Sequence, residues 1–547
     1  MARAPAIPQP ERSANRIASL HPIFIYALIF TAIFALHAPL LRLPYFWDEA
    51  GYYVPAARDV LLTHSLIPHS TLTVAHPPLV LVWLAIWWKC SGFTAAVTRT
   101  AMLFIAALCL TGTFRLASKV ANLQVAIAST IALALYPVFF AQSSMAHLDM
   151  AAAAFTIWAL CYYFEDRAGL TTLMFSVAVL CKETAIVAPL ALGVWELGWR
   201  AFGRNARSEF APGRRPLLRT MALALSPVLV AMAWYSFHYV KTGYIFGNPE
   251  FFSYNVGSTL HPLRIALAFV KRLWQLVGYM NLFVLTFAAL AAMLLPAQPL
   301  SERTLRPRIS LRVQAGMATV IAAYVITLSL LGGAVLARYM LPVVPLVIIL
   351  CVSTLWRRVR HWAIAVAVTS AAFVAGLFIN PPYAFALEDN LAYRDYVLLH
   401  KGAANFVDKR FAQARVLTGW PATDELSRPF LGYTKSAIPV VSIENFSATH
   451  LLAAARDTSL YDVVLIFSTK YEASHDLLAA LPGFEKLQER FFGFHRDLPP
   501  DVAAQLLSGR IVYRDARRGQ WVAVIELERP ENAVLESPVF AKMDGNQ

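Results

Sequence analysis

The sequence contains few charged residues and few cysteines. Asp, Glu, Lys and Arg make up 15% of the 547 residues, whereas 58% are hydrophobic and the mean hydropathy is +0.54. So little charge excludes an ordinary water-soluble globular protein and predicts an integral membrane protein. None of the five cysteines follows Cys351, so the last part of the chain has no disulfide, and cysteine usage does not report its compartment.

The net charge of +14 is unevenly distributed. Residues 1–380 contain 29 Lys and Arg against 12 Asp and Glu, whereas residues 381–547 contain 18 against 21. The positive charge therefore lies in the apolar part, where it reports membrane topology, and we predict no nucleic-acid partner. Arg3, Arg12 and Arg16 precede the first apolar run without a convincing cleavage site, which predicts a retained anchor rather than a signal peptide.

Apolar stretches long enough to cross a membrane recur along residues 1–380. A spanning helix needs about 20 apolar residues. Nine stretches predict one span each: 22–42, 97–117, 125–143, 147–164, 219–240, 268–294, 313–335, 338–356 and 362–380.

Two further stretches are ambiguous by length alone. The sequence "HPPLVLVWLAIWWK" (76–89) is too short to cross and is rich in Trp, so we predict a helix that lies on the membrane, with Pro77 or Pro78 in its first turn. Stretch 170–199 carries Lys182 and Glu183 near its middle, where one helix would bury both charges at the bilayer centre. Two short helices with these residues at their turn avoid that cost, which gives about 11 spans.

The positive-inside rule supports both choices. With the N-terminus in the cytoplasm, 19 of the 29 basic residues of the first part fall on the cytoplasmic side. We therefore predict a multi-pass inner-membrane protein whose residues 1–380 form the transmembrane domain, with a first external loop at 43–96. The C-terminal part, residues 381–547, is then extracytoplasmic.

Residues 381–547 alternate between strand and helix patterns. "ARVLTGW" and "YDVVLIFST" are typical of buried parallel strands, "GQWVAVIELER" of a late strand, and "YRDYVLLHKGAANFVDKRF" and "SHDLLAALPGF" of helices. This predicts an extracytoplasmic α/β domain. It contains no Gly-rich phosphate loop and no metal-ligand spacing.

Several polar residues are predicted at the outer membrane face, although they come from distant segments. They are Asp48 and Glu49 after the first span, His76 at the start of the interfacial helix, His147 and Asp149 at the fourth span, Lys182 and Glu183 at the hairpin turn, and Arg338 and Tyr339 at the tenth span. Each also has a purely structural interpretation: His147 fits a structural histidine better than a ligand, and Asp149 fits a helix N-cap equally well. Their convergence at one depth favours a functional site.

The chemistry of these side chains suits group transfer from an anionic lipid. Lys and Arg can bind a phosphate and stabilise it as a leaving group, and a carboxylate can accept a proton from an attacking hydroxyl. Aromatic residues at the interface suit a lipid tail and a sugar ring. The cytoplasmic side has arginines but no matching acids or nucleotide-binding loop, which disfavours a nucleotide-sugar donor.

Five motifs, in order, carry a family resemblance. "WDEAGYYVPAARDVL", "HPPLVLVWL", "HLDMAAAAF", "CKETAIVAPLAL" and "ARYMLPVVP" resemble the bacterial protein O-mannosyltransferase and aminoarabinose transferase superfamily of C-type glycosyltransferases, which use polyprenyl-phosphate sugars. The resemblance spans about residues 1–380 and implies a catalytic acidic pair at Asp48 and Glu49. It also implies site residues at Asp149, Lys182 and Arg338-Tyr339. The His76-Pro-Pro sequence matches the mannosyltransferases, whereas aminoarabinose transferases usually have Lys there.

These observations predict an inverting glycosyltransferase. A hexosyl or pentosyl group would move from a polyprenyl-phosphate donor to a lipid, glycan or protein acceptor at the outer face. Asp48 would assist the acceptor, and Lys182 and Arg338 would hold the donor phosphate. No firm cofactor is predicted; a divalent cation between Asp48 and other acids stays open.

Two rival classes have different signatures. A transporter or flippase of a lipid-linked glycan predicts polar residues along a mid-bilayer path and an inverted repeat. The ionisable residues instead cluster at one face. A non-catalytic receptor leaves the acids and cations of the outer face unexplained.

Overall fold

The computed structural model describes residues 21–202, 209, 216–471, 473 and 483–528. The chain forms two compact units. The first comprises Met1–Leu398 together with Lys470–Phe494, and the second comprises Leu399–Thr469 and His495–Gln547. The chain therefore leaves the second unit once and returns to it.

The first unit is built from helices. Its α-helices are α1 Pro22–His37, α2 Val54–Thr63, α3 Leu79–Ser91, α4 Ala95–Val120, α5 Leu123–Leu135, α6 Pro137–Gln142, α7 Leu148–Phe164, α8 Ala168–Cys181, α9 Val187–Phe202, α10 Leu217–Thr242, α11 Pro249–Asn255, α12 Pro262–Val277, α13 Leu282–Ala292, α14 Leu311–Leu330, α15 Val344–Arg358 and α16 Trp362–Phe378. A small hairpin pairs β1 (Pro299–Ser301) with β2 (Thr304–Leu305). Helix α17 (Ala392–Arg410) continues from the first unit into the second.

The helices confirm a multi-pass membrane protein. Among the described residues, five helical stretches are long and apolar enough to cross a membrane: Pro22–Leu40, Ala95–Val120, Leu217–Thr242, Pro262–Ala292 and Leu311–Leu330. Five shorter apolar helices accompany them. The total of 11 spans stays a prediction.

The break expected at the two charged residues of stretch 170–199 is confirmed. Helix α8 ends at Cys181, and Lys182 has an extended backbone (φ −157°, ψ 132°). Lys182 bonds Asp149 near the start of α7, whereas Glu196 in α9 accepts a bond from Tyr163 near the end of α7. Helices α8 and α9 therefore run in opposite directions as a hairpin. Lys182 and Glu183 lie at its turn and not in the middle of a helix.

Two of the predicted spans contain a break in their helix. Stretch 125–143 is divided into α5 and α6 because Pro137 disfavours helical geometry at Tyr136, which is extended (φ −60°, ψ 124°). Stretch 268–294 is divided between α12 and α13, where Met280 and Asn281 have left-handed backbones. The Tyr383 hydroxyl accepts a bond from the Met280 amide and so stabilises this break.

Small residues allow the central helices to approach closely. The run Ala151–Ala154 in α7 is buried. A Cβ at Gly112 of α4 would lie 3.0 Å from the Trp158 indole of α7. Small residues at such contacts are typical of helix packing in membranes.

The loop predicted to be the first external one carries α2 and α3. Asp59 in α2 holds the following segment, because its carboxylate accepts hydrogen bonds from the backbone amides of His69 and Ser70, each at 2.7 Å. The helix expected at 76–89 begins only at Leu79. Pro78 precedes its first turn instead of occupying it, because Pro78 has a non-helical backbone (ψ 0°).

The second unit contains a mixed sheet in the order β4-β3-β5-β7-β6. Its strands are β3 Val416–Gly419, β4 Val440–Ile443, β5 Val463–Phe467, β6 Gly509–Arg517 and β7 Gln520–Leu527. Strands β3, β4 and β5 are parallel, whereas β7 is antiparallel to β5 and to β6. Helices α18 (Ala422–Ser427), α19 (Ala448–Ala454) and α21 (Pro500–Leu506) belong to this unit, whereas α20 (Phe484–Phe492) belongs to the first.

The α/β class expected for the C-terminal part is confirmed. The two predicted parallel strands are β3 and β5, and every residue in them is buried. The predicted late strand is β7, and the first predicted helix is α17. The second predicted helix, at 474–484, lies almost entirely outside the described residues.

Candidate active site

The stretch "YFWDEAGYYV" forms a single π-helical turn at Glu49–Tyr53, with Asp48 immediately before it. Turns of this kind are frequent at functional sites. Trp47 has a positive φ of 42°, an uncommon conformation for a residue other than glycine. Asp48 and Glu49 are neighbours in sequence, yet their carboxylates bond different arginines.

Glu49 lies in a closed ion pair. Its side chain is fully buried and receives two bonds from Arg99, at 2.9 and 3.0 Å. The Phe46 and Ala146 amides donate two more bonds to the same carboxylate, at 2.9 and 2.6 Å. A carboxylate accepts about four hydrogen bonds. Glu49 thus has no remaining capacity to take a proton from a substrate, and its surroundings favour a positioning role over the predicted catalytic one.

Asp48 has a different environment. Arg338 Nη2 donates a hydrogen bond to its carboxylate, and 21% of the Asp48 side chain is exposed. The side chains of Asp149, Glu388 and Arg338 are at most 6% exposed. Asp48 is therefore the carboxylate of this cluster that an external hydroxyl can reach.

Arg338 joins carboxylates from three distant segments. Besides Asp48, its guanidinium donates to Glu388 at 2.6 Å and lies 3.4 Å from an Asp149 oxygen. The three acids follow α1, open α7 and follow α16, respectively. The structure thus brings together the predicted residues Asp48, Asp149 and Arg338.

Lys182 completes this cluster. Its ammonium nitrogen lies 2.6 Å from Asp149 Oδ1 and 4.0 Å from the centre of the Tyr339 ring. Because the backbone of Lys182 leaves the helix here, its side chain can reach the start of α7. A cation over an aromatic face is stabilised electrostatically.

The predicted residues His76 and Glu183 form a second pair. His76 Nδ1 lies 2.8 Å from Glu183 Oε2, and both side chains are partly exposed. The pair connects the segment before α3 to the turn of the α8–α9 hairpin. His76 also lines a small pocket of about 20 Å³, together with Tyr52, Tyr53, Thr73, Trp234 and His238.

His147 lies beside the cluster, with its two ring nitrogens 3.1 and 3.3 Å from Arg338 Nη1. Its Nδ1 lies 2.7 Å from Gln142 Oε1, and its ring packs against Tyr53 at 5.9 Å between centroids. Gln142 in turn donates to the Glu388 carbonyl. His147 therefore supports the segment that carries Glu388.

Two buried arginines that the sequence analysis missed lie on α12. Arg264 and Arg272 are 1% and 0% exposed, and among the described residues no carboxylate lies within 4 Å of either. Arg264 donates to the carbonyls of Gly332 and Gly333, and Arg272 donates to the Leu336 carbonyl at 2.6 Å. One terminal nitrogen of each, Nη1 of Arg264 and Nη2 of Arg272, has no hydrogen-bond partner in the part of the chain that the structure describes.

Of these two cations, Arg272 adjoins the cluster through Tyr339. The centre of its ring is 5.5 Å from the Arg272 guanidinium and 5.6 Å from that of Arg338. A buried charge without a partner is costly, and a bound ligand of the opposite sign would offset that cost. Arg272 therefore has the geometry of an anion-binding group.

Glu388 and Asp389 were also missed. Burial raises the pKa of Glu388 to about 8; Arg338 opposes this shift, and the carboxylates of Asp389 and Asp48 add to it. Burial also raises the pKa of Asp389 to about 6, although the Tyr279 hydroxyl donates to it at 2.6 Å. An acidic pair that directly follows the last predicted span, at the same face as Asp48 and Glu49, was the signal in the sequence.

No group of three or more His, Cys, Asp and Glu side chains that could hold a metal ion occurs in the described ranges of the chain. The arrangement of this site is instead one of carboxylates interleaved with arginine and lysine. A divalent cation at Asp48 therefore stays a prediction.

The fold matches that of a solved glycosyltransferase. Crystalline ArnT from Cupriavidus metallidurans bound to undecaprenyl phosphate is similar over 92% of this chain and 97% of its own, with 14% identity and a TM-score of 0.53. ArnT is an aminoarabinose transferase of the C-type glycosyltransferase class. The C-type glycosyltransferase fold that the five motifs imply is therefore confirmed.

Two other solved structures are similar at lower scores. ArnT in the apo state has 14% identity over 94% of this chain and 98% of its own, with a TM-score of 0.49. The Archaeoglobus fulgidus oligosaccharyltransferase in complex with Zn and sulfate has 13% identity over 81% of this chain and 67% of its own, with a TM-score of 0.44. No family model and no curated protein matches the sequence.

Proposed function

We propose that this protein is an inverting glycosyltransferase that takes a sugar from a polyprenyl-phosphate donor at the outer face of the inner membrane. The observation that carries the proposal is the convergence of Asp48, Asp149, Lys182 and Arg338 in one buried cluster. They come from four separate segments of a chain with the C-type glycosyltransferase fold. One carboxylate, Asp48, stays accessible in that cluster.

A lipid-linked donor is supported by the fold neighbour and by the uncompensated cations. ArnT with this fold was crystallised bound to undecaprenyl phosphate. In this chain, Arg264 and Arg272 offer buried donors without a carboxylate partner. A phosphate with a lipid tail is an anion that can approach such a site from within the membrane plane.

The roles that we propose for the basic residues differ from those predicted from the sequence. Lys182 and Arg338 were expected to hold the donor phosphate, but both already bond carboxylates. We assign them the task of orienting Asp149 and Asp48. We assign the phosphate to Arg272 and Arg264, because the N–H groups that each has left over need an acceptor.

The reaction is a single displacement. The acceptor hydroxyl oxygen forms a bond to the anomeric carbon, and the bond from that carbon to the phosphate oxygen breaks. The phosphate leaves with the electron pair and is stabilised by the arginines, while Asp48 takes the hydroxyl proton. Attack opposite the leaving group inverts the configuration at the anomeric carbon.

The remaining predicted residues take supporting roles in this proposal. Glu49 fixes the turn that presents Asp48, through its ion pair with Arg99. Tyr339 spaces the cations around its ring. His76 pairs with Glu183 and so connects the segment before α3 to the turn between α8 and α9.

Turnover of a labelled donor tests this function. The purified protein would be incubated with a radiolabelled polyprenyl-phosphate sugar and a cell-envelope extract, and released polyprenyl phosphate and labelled product would be measured. The proposal expects both, whereas a flippase would move the lipid across vesicles without releasing polyprenyl phosphate. The label in the product would also identify the acceptor as lipid, glycan or protein.

A further inference from the structure

Helix α20 follows β5 of the second unit in sequence but belongs to the first unit. Strand β5 ends at Phe467 in the second unit, and the chain joins the first unit at Lys470. It returns to the second unit at His495. Helix α20, Phe484–Phe492, is bounded by Gly483 and Gly493, which both have left-handed backbones (φ 80° and 61°) that favour glycine.

The aromatic end of α20 packs against the start of α12. The Phe491 ring lies 4.9 Å from the His261 ring, centre to centre. The Phe492 ring centre lies 5.6 Å from the Arg264 guanidinium carbon and 5.8 Å from the Lys271 ammonium nitrogen. Both distances are within the range of a cation–π interaction.

Arg264 has few other constraints. Its Nη2 donates to the Gly332 and Gly333 carbonyls, its Nη1 has no hydrogen-bond partner, and among the described residues no carboxylate pairs with it. The loop that carries these carbonyls is held by Asn255, which accepts bonds from the Gly332 amide at 2.9 Å and from the Gly333 amide at 3.2 Å. The guanidinium is thus held between this loop and the Phe492 ring, and it is only 1% exposed.

We propose that Phe492 is a positioning residue for donor binding: its ring holds and desolvates the Arg264 guanidinium so that Nη1 is presented to the donor phosphate. This inference rests on the proposed function. It gives the C-terminal chain a specific task in donor binding, because α20 belongs to a segment that leaves β5 and returns before α21. A desolvated cation attracts a phosphate more strongly than one that is hydrated.

Three substitutions at Phe492 separate this role from simple packing. Phe492→Leu keeps an apolar side chain but removes the π face, so the KM for the donor should rise roughly 3- to 30-fold with little change in kcat. Phe492→Ala should raise KM at least as much. Phe492→Tyr retains the ring and should keep the KM of the unmodified protein.

The matched control is Phe484→Ala, at the opposite end of the same helix. It removes an aromatic ring from α20 but leaves Phe492 over Arg264, so donor KM should stay unchanged. Binding of polyprenyl phosphate alone to the full-length purified variants supplies a second readout. Its Kd should weaken in parallel with KM for the Leu and Ala variants.

The outcomes decide between the two proposals. If the unmodified protein neither binds polyprenyl phosphate nor turns over the donor, the proposed function fails. If it does both and Phe492→Leu matches it in KM and Kd, only the role of Phe492 fails. A loss of kcat and thermal stability in all three Phe492 variants, including Tyr, would also overturn the positioning role in favour of packing.

Discussion

Lys182 Nζ lies 2.6 Å from Asp149 Oδ1, so a cation expected to meet the substrate is already neutralised within the protein. Arg338 is engaged in the same way by Asp48, and it also donates a hydrogen bond to Glu388. The charge that remains for an anionic donor is on α12, at Arg272 and Arg264. This pairing changes which residues are expected to control donor affinity.

Substitution of Arg272 tests that conclusion. Arg272→Gln should raise the donor KM roughly 10- to 100-fold, because charged hydrogen bonds contribute about 1.5–3 kcal/mol. Arg272→Lys should recover part of this loss, since it restores the charge but not the planar fork. Steady-state kinetics with the labelled donor would measure both. Equal donor KM in Arg272→Gln and the unmodified protein would exclude Arg272 from the phosphate site.

The Glu49–Arg99 pair should govern stability. Glu49→Gln leaves a fully buried guanidinium without its charge partner, which should cost about 3–5 kcal/mol. Asp48→Asn should cost far less, because Asp48 is partly exposed and Arg338 keeps Glu388. The thermal midpoints of the purified variants in detergent would compare them. A Glu49→Gln midpoint no lower than that of Asp48→Asn would contradict the assigned structural role.

Glu388 should give donor binding a pH dependence. Burial raises the pKa of its carboxyl to about 8, so it is mostly neutral below that pH and ionised above it. Ionisation adds negative charge beside Asp48 and opposes an anionic donor, so the donor KM should rise as the pH passes about 8. Glu388→Gln cannot ionise and should remove this rise. KM values between about pH 6 and pH 9 would test it, and an identical rise in the variant would rule Glu388 out as the cause.

The sequence predicted the segments of the site better than their pairings. Hydropathy and charge correctly located the break at Lys182, because one helix there would bury two charges. The pairing of Arg338 with Glu388 could not be predicted, since it depends on how the segment after α16 returns to the helix bundle. The π-helical turn decides that Asp48, and not Glu49, stays accessible, and no periodicity in "YFWDEAGYYV" indicates such a turn.

Helix α12 shows a second limit of sequence patterns. Stretch 268–294 reads as one apolar span, but Met280 and Asn281 divide it. Arg272 consequently lies on α12, before the break. Its side chain donates to the Leu328 and Leu336 carbonyls, at and just after the end of α14. Hydropathy averages over a window and does not resolve a two-residue break of this kind.

Cys90 offers a test of the predicted topology. It is exposed at the end of α3, whereas Cys109, Cys161 and Cys181 are buried and Cys351 is intermediate. If the first loop is external, a membrane-impermeant maleimide should label intact cells at this position. Cys90→Ser should abolish the labelling. Labelling that appears only after the membrane is opened would reverse the predicted orientation.

The most direct test of the account is the turnover of Asp48→Asn. With a radiolabelled polyprenyl-phosphate sugar and a cell-envelope extract, the variant should release polyprenyl phosphate at least roughly 100-fold more slowly than the unmodified protein. Its thermal midpoint should stay close to that of the unmodified protein, and its donor Kd should not weaken, because the arginines of α12 are intact. Near-normal release by a folded Asp48→Asn protein would contradict the central claim that this carboxylate activates the acceptor.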